Sequence, residues 1–168
     1  GEGREEYGGA DVNDILNLFP LLENFPKADH KRIGMYGRSR GGMMTYLCLR
    51  KTGRILAAIV DAGAADLFDL ARKRPKMEKK VWQELMPNYE ENKEDLLRER
   101  SVVCWPDKLD RETPILLLHG SADWRCEPNQ AIDVASGLLK HEVPFRLVLF
   151  EGGDHQLNEH ETEVYRLI

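Results

Sequence analysis

The sequence predicts an α/β fold, a mostly parallel sheet with helices on both faces. Short apolar runs such as Ile115-Leu116-Leu117-Leu118-His119 and Phe145-Arg146-Leu147-Val148-Leu149-Phe150 read as strands buried on both sides. Longer segments with apolar residues at helical spacing alternate with them. That alternation is the signature of a parallel sheet covered by its own crossovers.

In chain order, the first helix is expected at about Asp11 to Asn24, where Val12, Ile15, Leu16, Leu18, Phe19 and Leu22 recur at helical spacing. A strand follows at Arg32 to Tyr36, a helix at Gly42 to Lys51 and a second strand at Ile55 to Asp61. After an intervening charged stretch come a strand at Ile115 to His119, a helix at Asn129 to His141, a strand at Phe145 to Phe150 and a helix at Glu159 to Leu167. Residues 1–168 are expected to form one catalytic domain, with the charged stretch from Asp66 to Arg111 as a helical insertion lacking a buried strand. Within it, Arg72-Lys73-Arg74-Pro75-Lys76 and Lys79-Lys80 read as a solvated helix face broken at Pro75. Trp82, Leu85, Met86, Tyr89, Leu96 and Leu97 supply the apolar spacing to fold over the domain, which makes this segment a candidate for substrate selection.

Composition sets outer limits. Hydrophobic residues make up 42% and charged residues 32%, ordinary usage for a chain with a packed core. The net charge of -5 argues against nonspecific nucleic-acid binding, which relies on clustered Lys and Arg. No apolar run reaches membrane-spanning length, and residues 1 onward do not read as a signal segment. Cys48, Cys104 and Cys126 are an odd number without C-x-x-C spacing, which fits free thiols, a reducing compartment and a cytoplasmic location rather than a disulfide framework or zinc site. No cofactor or metal is expected.

The residues that carry chemistry begin with Gly37-Arg38-Ser39-Arg40-Gly41-Gly42, set between Ile33-Gly34-Met35-Tyr36 and Met43-Met44-Thr45-Tyr46-Leu47. This is a G-x-S-x-G pattern in a strand, turn, helix context, which thrusts a serine out at a strained turn. Gly37 permits close backbone approach, and Gly41 with Gly42 is expected to let the helix leave without a side-chain clash. An acid and a histidine follow in order, Asp123 past the strand ending at His119 and His155 past the strand ending at Phe150. Both lie at the carboxyl ends of strands, the edge where open α/β sheets bind ligands.

These residue types suit nucleophilic catalysis. A serine hydroxyl is a poor nucleophile near neutrality, so a neutral His155 must take its proton, while Asp123 holds the other ring N–H and stabilises the imidazolium. The backbone N–H of Arg40, next after the serine, is expected to donate to an oxyanion. Asp61, at another strand end, is the alternative acid, and Asp154 beside His155 reads as structural. His119 reads as a buried, hydrogen-bonded histidine. Arg38 and Arg40 flank the serine and either attract a substrate carboxylate or brace the turn against an acid. Trp124 and Arg125, beside the acid, are candidate substrate contacts, with packing of Trp124 over the strand ends as its other reading.

Gly37-Arg38-Ser39-Arg40-Gly41-Gly42, His119-Gly120-Ser121-Ala122-Asp123 and Glu151-Gly152-Gly153-Asp154-His155 together resemble the catalytic domain of the prolyl oligopeptidase family of serine peptidases, in the α/β-hydrolase superfamily. The opening stretch from Gly1 to Asp14 is similar to that family's glycine-rich approach to the helix before the serine. The resemblance implies an α/β-hydrolase fold with Ser39 as nucleophile, Asp123 as acid and His155 as base, acting on peptide bonds of short peptides. Such domains run to roughly 250 residues, so this chain of 168 is expected to be amino-terminally truncated, lacking the first strands and the second oxyanion donor. That expectation includes an unpaired edge on the strand before Ser39, and a missing amino-terminal segment or a homo-oligomer as partner. A carboxylesterase of the same fold, or a catalytically incomplete interaction module, are the other readings.

Overall fold

The computed structural model describes residues 3–168; of the glycine-rich opening, Gly1 and Glu2 lie outside the described residues. Two short helices, α1 (Val12–Leu16) and α2 (Leu18–Leu22), lead into β1 (Ile33–Arg38), followed by α3 (Arg40–Lys51) and β2 (Ile55–Asp61). Helices α4 (Leu67–Lys73), α5 (Pro75–Met77), α6 (Gln83–Leu85) and α7 (Tyr89–Arg100) then precede β3 (Ile115–Gly120). The chain ends with α8 (Asn129–Lys140), β4 (Phe145–Phe150) and α9 (Glu161–Leu167).

The four strands form one parallel sheet in the order β1-β2-β3-β4. Side chains alternate between its faces. Ile33, Ala58, Val60, Ile115 and Leu117 meet Met43, Tyr46 and Leu47 of α3 and Val134 and Leu138 of α8 in the larger core. Leu118 and Phe150 turn the other way and pack with Leu157 and Val164, the latter on α9. Among the described residues β1 is an edge strand, as expected, and an open groove of about 490 Å³ lies between Tyr36 and Arg38 on one side and Val164, Tyr165 and Ile168 on the other.

The first helix departs from expectation. It is split at Asn17 into two five-residue pieces. Pro20 supplies the reason: it lacks an N–H to donate to Leu16, and its ring crowds that carbonyl four residues back. Val12 and Phe19 still reach the core, but Leu18 is exposed. The carboxyl-terminal helix is likewise shorter, with a 3-10 turn at Asn158–His160 preceding α9.

Residues 66–111 hold no strand, as the charge-rich sequence suggests. The segment runs through α4 to α7, with a π-helical turn at Glu78–Trp82. Trp82, Met86, Tyr89 and Leu97 are buried in the larger core, and Leu85 and Leu96 pack against it. Arg100 is also buried: its guanidinium donates to the carbonyls of Tyr7 at 2.8 Å, Leu96 at 3.0 Å and Glu6 at 3.1 Å, tying α7 to the amino-terminal loop.

Candidate active site

Ser39 stands between β1 and α3 with φ 56° and ψ -117°, a conformation that L residues rarely adopt. Backbone bonds hold it there: its N–H donates to the Asp61 carbonyl at 2.8 Å, and its carbonyl accepts from Gly42 at 3.0 Å and Ala64 at 3.2 Å. A Cβ on Gly37 would strike the Gly41 backbone, and one on Gly42 would lie 2.6 Å from Gly63 Cα. Gly41 faces open space, so the expected steric need falls on Gly37 and Gly42 rather than on Gly41.

Three residues distant in sequence meet at this turn. His155 Nε2 lies 2.9 Å from Ser39 Oγ, and His155 Nδ1 lies 2.7 Å from Asp123 Oδ2. Asp123 follows β3 and His155 follows β4, so the carboxyl edge of the sheet gathers them. Asp154 shapes the second loop by accepting from the amides of Gln156 at 2.7 Å and Leu157 at 3.0 Å. Asp123 Oδ1 accepts from the amides of Arg125 at 2.8 Å and Cys126 at 3.0 Å. Burial opposes ionisation of this carboxyl, but hydrogen bonds from His119, His155 and the Cys126 amide outweigh it and hold the group well below the usual carboxylate range.

The other candidates separate into bracing and exposed groups. Asp61 is fully buried and away from His155; it accepts from Arg38 Nε at 2.7 Å and from the Tyr36 hydroxyl at 2.8 Å. Arg38 is therefore committed to an acid, though its side chain stays 40% exposed. Arg40 pairs with Glu5 and with Asp11 Oδ2 at 3.2 Å, and its guanidinium carbon sits 4.8 Å from the Tyr7 ring centroid. Both arginines thus pair with acids beside the turn, the arrangement that the bracing reading expects. The Arg40 amide opens α3, where the first N–H groups have no partner within the helix.

Trp124 does not pack over the strand ends; it is 72% exposed, flanked by the guanidinium groups of Arg74 and Arg125 at 5.9 and 5.6 Å from its ring centroid. Arg74 also donates to the Arg125 carbonyl at 3.2 Å, so α4's end abuts the loop carrying Asp123. Among the described residues no group of His, Cys, Asp and Glu side chains is arranged to hold a metal ion. No helix among them is long and apolar enough to cross a membrane. Sequence reasoning missed Glu5 and Asp11 as partners of Arg40 and Arg100 as the anchor of the amino-terminal loop, because pairing over 29 to 94 residues leaves no periodic signal.

The sheet, the strained serine turn and its histidine define a protein of the α/β-hydrolase class. The chain belongs to the prolyl oligopeptidase family, peptidase family S9, whose model matches residues 1–168. It is 29% identical over 165 residues to the uncharacterized peptidase YuxL of Bacillus subtilis, covering 92% of this chain and 23% of that protein. It is 28% identical over 153 residues to dipeptidyl-peptidase 5 of Porphyromonas gingivalis, covering 89% and 22% respectively. The acylaminoacyl peptidase of Pyrococcus horikoshii superposes with a TM-score of 0.82 at 26% identity, over 95% of this chain and 26% of that one. The chain thus spans about a quarter of the length of these relatives.

Proposed function

We propose that this chain carries the catalytic machinery of a serine peptidase acting on short peptides through an acyl-enzyme on Ser39. The observation that carries the reading is the continuous line of hydrogen-bonding groups from Asp123 through His155 to Ser39 Oγ, at 2.7 and 2.9 Å. Membership of a peptidase family supports it, as do relatives named for dipeptidyl and acylaminoacyl peptide cleavage.

In this reading His155 Nε2 removes the Ser39 proton as Oγ bonds to the scissile carbonyl carbon. The carbonyl electrons move onto oxygen, which the Arg40 amide stabilises; one such donor contributes roughly 3 kcal/mol in comparable sites. Asp123 fixes the ring by accepting from Nδ1–H and stabilises the imidazolium. When the tetrahedral adduct collapses, His155 returns the proton to the leaving amine, and the acyl group stays on Ser39. Water then attacks that ester with His155 as base, releasing acid and free serine. Trp124 and Arg125, exposed beside Asp123, are the proposed substrate contacts, while Arg38 acts by holding Asp61.

The test is a panel of dipeptidyl and N-acylaminoacyl chromogenic amides set beside short-chain aryl esters. Amide cleavage that disappears in Ser39→Ala is expected. Cleavage of esters alone would replace the peptidase reading with an esterase, and turnover that survives Ser39→Ala would sink the serine mechanism.

A further inference from the structure

We infer that His119, a residue absent from the steps above, is a positioning residue that turns the Asp123 carboxylate toward His155. The inference rests on the triad reading. His119 sits at the carboxyl end of β3, four residues before Asp123, with no exposed surface. Its Nε2 lies 2.6 Å from the Cys126 carbonyl oxygen and 3.2 Å from Asp123 Oδ2. A carbonyl only accepts, so the ring carries its proton on Nε2 and donates it to Cys126, with Asp123 Oδ2 the neighbouring carboxylate oxygen.

The other nitrogen faces the packed interior. His119 Nδ1 is buried with no hydrogen-bond partner among the described residues. The Cys126 carbonyl therefore fixes which ring nitrogen of His119 donates.

Asp123 is thus gripped at both oxygens, with His119 beside one of them. Two amides hold Oδ1, at 2.8 and 3.0 Å. Oδ2 accepts from His155 Nδ1 at 2.7 Å and faces His119 Nε2 at 3.2 Å. The Cys126 thiol, which donates to the Gly63 carbonyl at 3.3 Å, is pushed upward by burial and stays uncharged. His119 orients the carboxylate by holding the carbonyl of Cys126, whose amide grips Oδ1, and by setting its ring edge against Oδ2.

The discriminating variants are His119→Gln, His119→Asn and His119→Leu. A Gln amide nitrogen reaches the position of Nε2, whereas that of Asn falls near Nδ1. Two readouts apply: the rate at which a fluorophosphonate probe labels Ser39, and the downfield NMR signal of the proton shared by His155 and Asp123. Labelling within about 3-fold of wild type is expected for Gln, with roughly 10- to 100-fold slowing and loss of the shared-proton signal for Asn and Leu. Asn or Leu matching wild type in both readouts overturns the inference, as does equal loss in Gln. Should Leu fail to fold, the Gln and Asn pair decides alone. An unlabelled wild type whose NMR signal still follows the Gln pattern would fault the triad reading and leave the placement of His119 intact.

Discussion

Asp123 Oδ2 and His155 Nδ1 are held 2.7 Å apart inside the protein, joining loops that follow β3 and β4. The folded-state pKa of Asp123, depressed against burial by His119, His155 and the Cys126 amide together, makes this carboxyl a pH-dependent source of stability. In the unfolded chain the carboxyl titrates near its ordinary value of about 3.9, so the unfolded state takes up its proton first as pH falls. The stabilisation is whole above that pH and is lost as pH drops toward the lower folded value. Acid unfolding followed by circular dichroism should show a shallower dependence on pH below about 4 in Asp123→Asn than in wild type. Equal slopes would mean that the carboxyl is not stabilised by its partners.

Neighbouring glycines at the serine turn should respond in opposite ways. A methyl on Gly42 would press on Gly63 Cα and on Val60, at 2.6 and 2.8 Å, whereas one on Gly41 meets open space. Gly42→Ala is expected to destabilise by roughly 1–3 kcal/mol through overpacking. Gly41→Ala should be neutral or stabilising by up to about 1 kcal/mol, from reduced freedom of the unfolded chain. Urea denaturation of the two variants decides it.

Arg100 should matter more than a cation at a helix end normally does. Its removal in Arg100→Met leaves the carbonyls of Glu6 and Tyr7 without their donor, at a cost of roughly 2–3 kcal/mol. Arg100→Lys keeps the charge but cannot fork to both carbonyls, and should recover only part of the loss. Limited proteolysis should find the loop before α1 newly susceptible in Arg100→Met.

The thiols should react in two classes. Cys48 and Cys126 are buried, and burial pushes the Cys48 thiol up to about 11, whereas Cys104 is exposed. Ellman's reagent near pH 8 should titrate Cys104 rapidly in the folded chain and all three cysteines only after denaturation. Rapid reaction of Cys126 would contradict its packing against Gly63.

Continuous apolar runs made β2 and β4 legible to the residue and β3 nearly so, but burial on both sides holds only for β3: β4, at an edge of the described sheet, exposes Arg146 and Leu149, and β2 exposes Leu56. The serine turn was legible too, because its glycines and flanking apolar runs are local. What escaped notice was set by contacts across the fold. Pro20 splits a helix whose apolar spacing looked continuous. Trp124 projects outward with Arg74, 50 residues earlier in the chain, beside its ring, a neighbour that local sequence does not reveal. The roles of Arg38 and Arg40 stayed open until Asp61, Glu5 and Asp11 came beside them. His119 was legible as a buried, hydrogen-bonded histidine, but its Cys126 partner and its closeness to Asp123 Oδ2 required coordinates.

The central claim, that Ser39 is an activated nucleophile, is tested most directly by mass spectrometry after treatment with a fluorophosphonate. The account predicts one covalent adduct mapped to Ser39, absent in Ser39→Ala and slowed by about 10⁴-fold in Asp123→Asn. A folded wild-type chain that takes no adduct, or takes it elsewhere, would contradict the account.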